Sequence, residues 1–160
     1  MKLLTTILII SIAIACTKGG KPDGLSGTVY SVTATASSKQ LVPAIDTTST
    51  ATFTGVYDAQ SNILTYTLAW NDLWRDTKKD TIVSISFYGP ATATTNGVVA
   101  RTLPFVNTNR IGSINQGLSG NTGITLDEKS SFMSGDWYFT INTKRYATGI
   151  VRGQLVLAEK

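Results

Sequence analysis

Histidine is absent from this 160-residue chain, and cysteine occurs once, at Cys16. The first absence excludes a Ser-His-Asp triad. Together the two remove the imidazole and thiolate ligands on which copper and zinc sites are built. A single cysteine forms no internal disulfide. Charge is scarce as well, at 15% of residues, and the basic residues are scattered, with Lys78-Lys79 and Lys144-Arg145 the only adjacent pairs. No basic stripe of the kind that tracks nucleic acid is formed, so nucleic acid is not expected as a partner. Heptads, long helical periods and fixed-period repeats are missing too. Thr, Ser, Gly and Ala are abundant instead, which suits an all-β exported domain of many short strands.

The cysteine has a distinctive address. Lys2 is followed by a mostly apolar run of 13 residues, Leu3 to Ala15, short of the about 20 needed to span a bilayer as a helix. A basic start, an apolar middle and a small-residue end read as a secretory signal peptide. Ala13-Ile14-Ala15-Cys16 resembles the lipobox of bacterial lipoproteins, which implies that Cys16 is lipidated and becomes the first residue. Residues 1–15 are therefore expected to be a lipoprotein signal peptide. Residues 16–24, Cys16 and the start of the "TKGGKPDGLSG" that follows it, read as a flexible tether, and residues 25–160 as one domain. From Cys16 onward the chain has 145 residues, enough to bury a real core. The expected location is the bacterial cell envelope, held by membrane lipid through the N-terminal Cys.

Within the domain, period-two alternation marks the strands. In "ILTYTLAW", Leu64, Tyr66, Leu68 and Trp70 share one face. The preceding "ATFTGVYDAQSN" supplies a partner strand and the hairpin turn. In "IVSISFY", Val83, Ile85 and Phe87 alternate with Ser84, Ser86 and Tyr88; in "WYFTINT", Trp137, Phe139 and Ile141 alternate with Tyr138, Thr140 and Asn142. "TNGVVARTLPF" reads as a further strand, and "TGIVRGQLVL" as the last, with Gly153 permitting a close approach or a bulge. "NTNRIGSINQGLSGNTG", polar and rich in Gly and Asn, reads as a long surface excursion, and "LDEKSSFMSG" as a short helical turn. About eight strands result, which suggests a β-sandwich or flattened barrel with Greek-key connections.

Three stretches in order, "QLVPA" (Gln40 to Ala44), "YGPA" (Tyr88 to Ala91) and "WYFTINTKRYATGIVRGQL" (Trp137 to Leu155), resemble the CHRD domain, named from chordin and found also in bacterial exported proteins. "FTGVYDAQSNILTYTLAWNDL" fits that family's central hairpin. The resemblance spans roughly residues 25–158 and implies an immunoglobulin-like β-barrel shared with the copper/zinc superoxide dismutases. Typical members carry a His-x-His just before the Gly-Pro-Ala and a His before the Thr of the late strand. Those positions are Ser86, Tyr88 and Asn142 in this chain, and a Glu usual before the Arg-Gly-Gln run gives way to Ile150 and Val151. Hydroxyls and an amide thus stand where imidazoles would, on strand faces that let them cluster.

No metal, cofactor or catalytic group is expected. Asp72, Asp76 and Asp80 offer oxygen ligands, but Arg75, Lys78 and Lys79 are interleaved with them, and the segment reads as a solvated loop. Asp127-Glu128 and Asp136, the nearest thing to a paired-carboxylate set, fit turns and strand starts better than a glycosidase cleft. Binding is the remaining class. Trp70, Trp74, Tyr88, Tyr138 and Tyr146 supply aromatic surface, of which Trp70 continues a core face while Trp74 and Tyr146 sit in polar loops. Arg152 shares a strand face with Gln154, a pairing expected to fix the terminal strand more than to touch ligand. Trp74, Tyr88, Asn142, Tyr146 and Arg152 are the candidate ligand-binding residues, with an envelope protein or a glycan as the partner. A carbohydrate-binding lipoprotein would show two or more exposed aromatics on one face; a divergent superoxide-dismutase-like metal handler is opposed by the lack of histidine.

Overall fold

The computed structural model describes residues 28–73, 80–104 and 115–160. Among these residues nine strands and one α-helix follow one another: β1 (Val29–Ser37), β2 (Thr50–Asp58), β3 (Ile63–Asn71), β4 (Ile82–Tyr88), β5 (Val99–Thr102), β6 (Asn115–Gly123), α1 (Leu126–Met133), β7 (Tyr138–Thr143), β8 (Val151–Gln154) and β9 (Val156–Glu159). They form one antiparallel sheet in the order β5-β4-β7-β8-β1-β2-β3-β6, with β9 also paired to β1. The all-β architecture of about eight strands is the one expected. No helix among the described residues is long and apolar enough to cross a membrane.

The β2–β3 hairpin follows directly from its sequence. Leu64, Tyr66, Leu68 and Trp70 are all buried while their neighbours face out. In the turn, the Asp58 carboxylate accepts the N–H groups of Gln60 and Ser61 at 2.8 and 3.2 Å. Asn62 closes it in the left-handed region at φ 56°, a conformation Asn tolerates better than most residues.

The sheet curls until its halves face each other across an aromatic core. Phe53 of β2 lies 5.7 Å from Phe87 of β4 and 5.8 Å from Phe139 of β7, centroid to centroid, although several strands separate them within the sheet. Each such ring contributes about 2–3 kcal/mol of burial energy, which is what bends the sheet. The two edges are bridged by Arg101 of β5, whose Nε–H donates to the Gly123 carbonyl at the end of β6 over 2.8 Å and whose guanidinium pairs with Glu128 of α1. The last strand breaks at Leu155: its side chain is buried, its N–H donates to the Trp137 carbonyl at 2.8 Å, and the chain passes from β7 to β1 there. Gly153 makes the close approach anticipated for it. A Cβ there would sit 2.8 Å from Phe139 Cε1 and 2.9 Å from Ala36 Cβ.

Three expectations are corrected. Val83 is 53% exposed and does not share the core face with Ile85 and Phe87, because a bulge between Ile82 and Ser84 shifts the register and turns Ile82 inward instead. The segment from Asn115 to Gly123 is no surface excursion but a nine-residue strand paired along the whole of β3. Its glycines weaken strand propensity, yet a Cβ on Gly117 would meet the Leu68 carbonyl oxygen at 2.9 Å, so the pairing there calls for a residue without one. The rest of that stretch, through residue 114, lies outside the described residues. The short turn expected in "LDEKSSFMSG" extends to a two-turn helix that buries Phe132 against Tyr57 and Trp137.

Candidate functional site

The second face of β4, β7 and β8 carries polar side chains, as the alternation required, and the register brings them together. Ser84 lies opposite Asn142, Ser86 opposite Thr140 and Tyr88 opposite Tyr138. On the other side of β7, Thr140 lies opposite Arg152 and Tyr138 opposite Gln154. In an open sheet this face would be wet, yet every residue of β7 is buried. Segments from elsewhere in the chain cover it: a strap around Leu41–Ile45, a loop from Gly89 to Val98, and the turn from Tyr146 to Gly149. The first two contain cis Val42-Pro43 and cis Gly89-Pro90.

Arg152 organises this cover. Its Nη2 donates to the Thr92 carbonyl at 2.7 Å and to Gln154 Oε1 at 3.4 Å, and its Nη1 to Asn96 Oδ1 at 3.3 Å. Asn96 in turn donates through Nδ2 to the Val42 carbonyl at 2.8 Å, tying loop to strap. Gln154 Nε2 donates to the carbonyls of Ala91 and Gly135 at 2.9 and 2.7 Å, and the Gly97 N–H donates to the Tyr138 hydroxyl at 3.1 Å. Tyr88 stacks on Tyr138, centroids 5.0 Å apart and 5° from parallel, and Arg152 Cζ lies 3.6 Å from the Tyr138 centroid. Since β4 and β8 flank β7, the two groups approach Tyr138 from opposite sides, which gives a ring–ring–guanidinium stack.

Between strap, loop and turn lies a pocket of about 500 Å³, within the size range of small-molecule sites. Leu41, Val42, Pro43, Ile45 and Ala147 give it an apolar wall; Tyr88, Tyr138, Thr140, Asn96 and Arg152 give it a polar one. Among the described residues Arg152 is the only charged one of the lining. Burial pushes its guanidinium below the ordinary arginine value and the neighbouring Tyr138 acts in the opposite sense; the group remains protonated.

The sequence-picked residues are divided by this geometry. Tyr88 and Arg152 line the pocket. Asn142 stands one step behind, its Oδ1 accepting the Thr140 hydroxyl at 2.7 Å. Tyr146 contributes its backbone, its carbonyl accepting the N–H groups of Thr143 and Gly149, while its side chain packs partly against the core. Trp74, Asp76 and Cys16 lie outside the described residues. Tyr138, expected as aromatic surface, is 3% exposed because Arg152 and the loop cover it. Trp70 is in the core as expected. Asp80 is not a solvated loop residue: its side chain is 3% exposed and pairs with Arg145 Nε at 2.9 Å. Asn96 and Thr140 were missed, since an Asn before Gly reads only as a turn and a strand Thr only as surface.

Copper or zinc does not fit the residues at the histidine positions. Ser86 Oγ bonds to Thr102 Oγ1 at 3.3 Å and Asn142 Oδ1 is held by Thr140; these are neutral oxygen donors engaged with one another, and a soft or borderline ion gains little from them. Among the described residues no group of three His, Cys, Asp or Glu is placed to hold an ion.

Against families of known proteins, the CHRD domain model matches residues 32–155. Among curated proteins and solved structures, none matches the chain. The matched span contains all three stretches that build the pocket: the strap, the Gly-Pro-Ala loop, and β7 through β8.

Proposed function

The chain belongs to the CHRD domain family, and on that premise we propose that it is a non-enzymatic binding module, carried on a lipid anchor at the bacterial cell envelope, whose ligand site is the pocket over β4, β7 and β8. The family is in general one of non-catalytic binding domains. The observation that carries the site is the convergence of strap, loop and turn on one hollow, with Arg152 at its floor holding the loop in place. A pocket organised in advance costs little ordering on binding. Anchoring is supported by the sequence alone: the apolar run that ends at Ala13-Ile14-Ala15-Cys16 and the polar tether after it.

The test uses the full chain. Capture of an envelope protein, a glycan or a small molecule by the wild type should be lost in Ala147→Trp. Ala147 is an exposed lining residue, so the indole narrows the pocket without entering the core. Equal capture by both forms would place the site elsewhere. Cys16→Ser should release the protein from the membrane fraction; unchanged membrane association would end the lipoprotein reading. The glycan reading has less behind it, because the exposed large apolar side chains among the described residues are all aliphatic.

A further inference from the structure

Arg152 is 1% exposed, yet among the described residues its partners are a backbone carbonyl, two amide oxygens and a tyrosine ring, with no carboxylate. Buried cations are ordinarily paired, because an uncompensated charge loses its hydration with nothing equivalent in return. Three of its hydrogen bonds are accounted for, two from Nη2 and one from Nη1, whereas a guanidinium carries five N–H donors. Nε–H and the second Nη1–H remain. Among the described residues the lining of the pocket holds no Asp or Glu, and Leu41, Val42, Pro43 and Ile45 give it an aliphatic side. The site therefore combines one fixed positive charge with an apolar lining.

We propose that the pocket takes a small amphiphilic monocarboxylate, its carboxylate against Arg152 and its apolar part along Leu41, Pro43 and Ile45. This deepens the pocket reading above and rests on it. One cation argues for one negative charge: a dianion would bring a second charge into a site with no second cation. Charge-assisted bonds from guanidinium to carboxylate are the strongest polar contacts available in a partly dry site. Neutral ligands would leave the guanidinium as it stands, so charge is the discriminating property. The same chemistry occurs in a free acid and at the C-terminus of a peptide that ends in an aliphatic residue. A pocket of about 500 Å³ is of the size that holds a whole small molecule, which favours the free acid.

The experiment is calorimetric titration of the full chain with hexanoate, hexanamide, hexylamine and N-acetyl-Gly-Leu. Hexanoate should bind at least about tenfold more tightly than hexanamide, the value expected of one charge-assisted hydrogen bond. Hexylamine should not bind, and Ala147→Trp should abolish hexanoate binding. Because Arg152 also supports the loop, the comparison of acid with amide on the unaltered protein carries the test. Equal binding of hexanoate and hexanamide would overturn the charge proposal while leaving the pocket reading intact. No binding of any probe would count against the carboxylate proposal, and capture by Ala147→Trp as strong as by the wild type would separately remove the pocket reading. Tighter binding of N-acetyl-Gly-Leu than of hexanoate would overturn the free-acid assignment in favour of a peptide terminus.

Discussion

The Arg152 guanidinium lies 3.6 Å from the centre of the Tyr138 ring, with Tyr88 stacked on Tyr138 from the neighbouring strand. This stack joins β4, β7 and β8 through side chains and fixes the loop above them through Thr92 and Asn96. Replacing Arg152 with Gln leaves the Thr92 carbonyl and Asn96 Oδ1 without their donor and should cost about 2–4 kcal/mol of unfolding free energy. Arg152→Lys keeps the charge but loses the planar fork that reaches both acceptors, so it should recover only part of that loss. Urea denaturation measures both. A Lys variant as stable as wild type would show that charge alone, and not the fork, holds the loop.

Gly153 permits β8 to pass between Phe139 and Ala36. A side chain there meets Phe139 Cε1 at 2.8 Å, Ala36 Cβ at 2.9 Å and the Thr35 carbonyl at 3.2 Å. The backbone carbonyl and the core ring have little room to retreat. Gly153→Val should destabilise by about 1–3 kcal/mol or more, seen as a lowered thermal midpoint, and Gly153→Ala by less.

Glu128 has two tasks. Its Oε2 accepts the Thr125 N–H at 2.9 Å at the start of α1, and the same carboxylate pairs with Arg101, which bridges the two sheet edges. Glu128→Ala removes both and should cost about 1–2 kcal/mol. Glu128→Gln retains an acceptor for Thr125 and loses only the ion pair, so it should fall between Ala and wild type. If the two variants are equal in chemical denaturation, the ion pair is the whole effect.

The β2–β3 turn gives a dependence on pH with a defined sign. Two backbone N–H donors, from Gln60 and Ser61, hold the Asp58 carboxyl below its ordinary value. A depressed folded value means that the unfolded chain takes up the proton first. The stabilisation is therefore fully present above about pH 4, near the ordinary aspartate value, and is lost as pH falls through the folded value. Asp58→Asn keeps an acceptor oxygen for the turn while removing the titration. Its stability should vary less between pH 5 and pH 2.5 than that of the wild type, and thermal melts at both pH values check this.

Much of the molecule was legible in the chain because it was written in local pattern. Strict alternation in Leu64 to Trp70 fixed which side of β3 faces inward, and Asp58 with Asn62 fixed the turn before it, since both act within a few residues. The same alternation put Ser86, Tyr88 and Asn142 on one side of their strands. The absence of histidine determined the chemistry that those positions could not perform. Local pattern could not foresee Val83, where a bulge against β7 decides the register, nor β6, whose glycines and polar residues become a strand only because β3 offers an unpaired edge. It also could not close the pocket. Arg152, Asn96 and Leu41 are far apart in sequence, and only the curl of the sheet and the folding of two loops over its polar face bring them together. Burial and charge environment arise from that long-range packing, so the sequence alone determined which side chains were available, and the tertiary structure decided that one buried cation would line a pocket with no carboxylate beside it among the described residues.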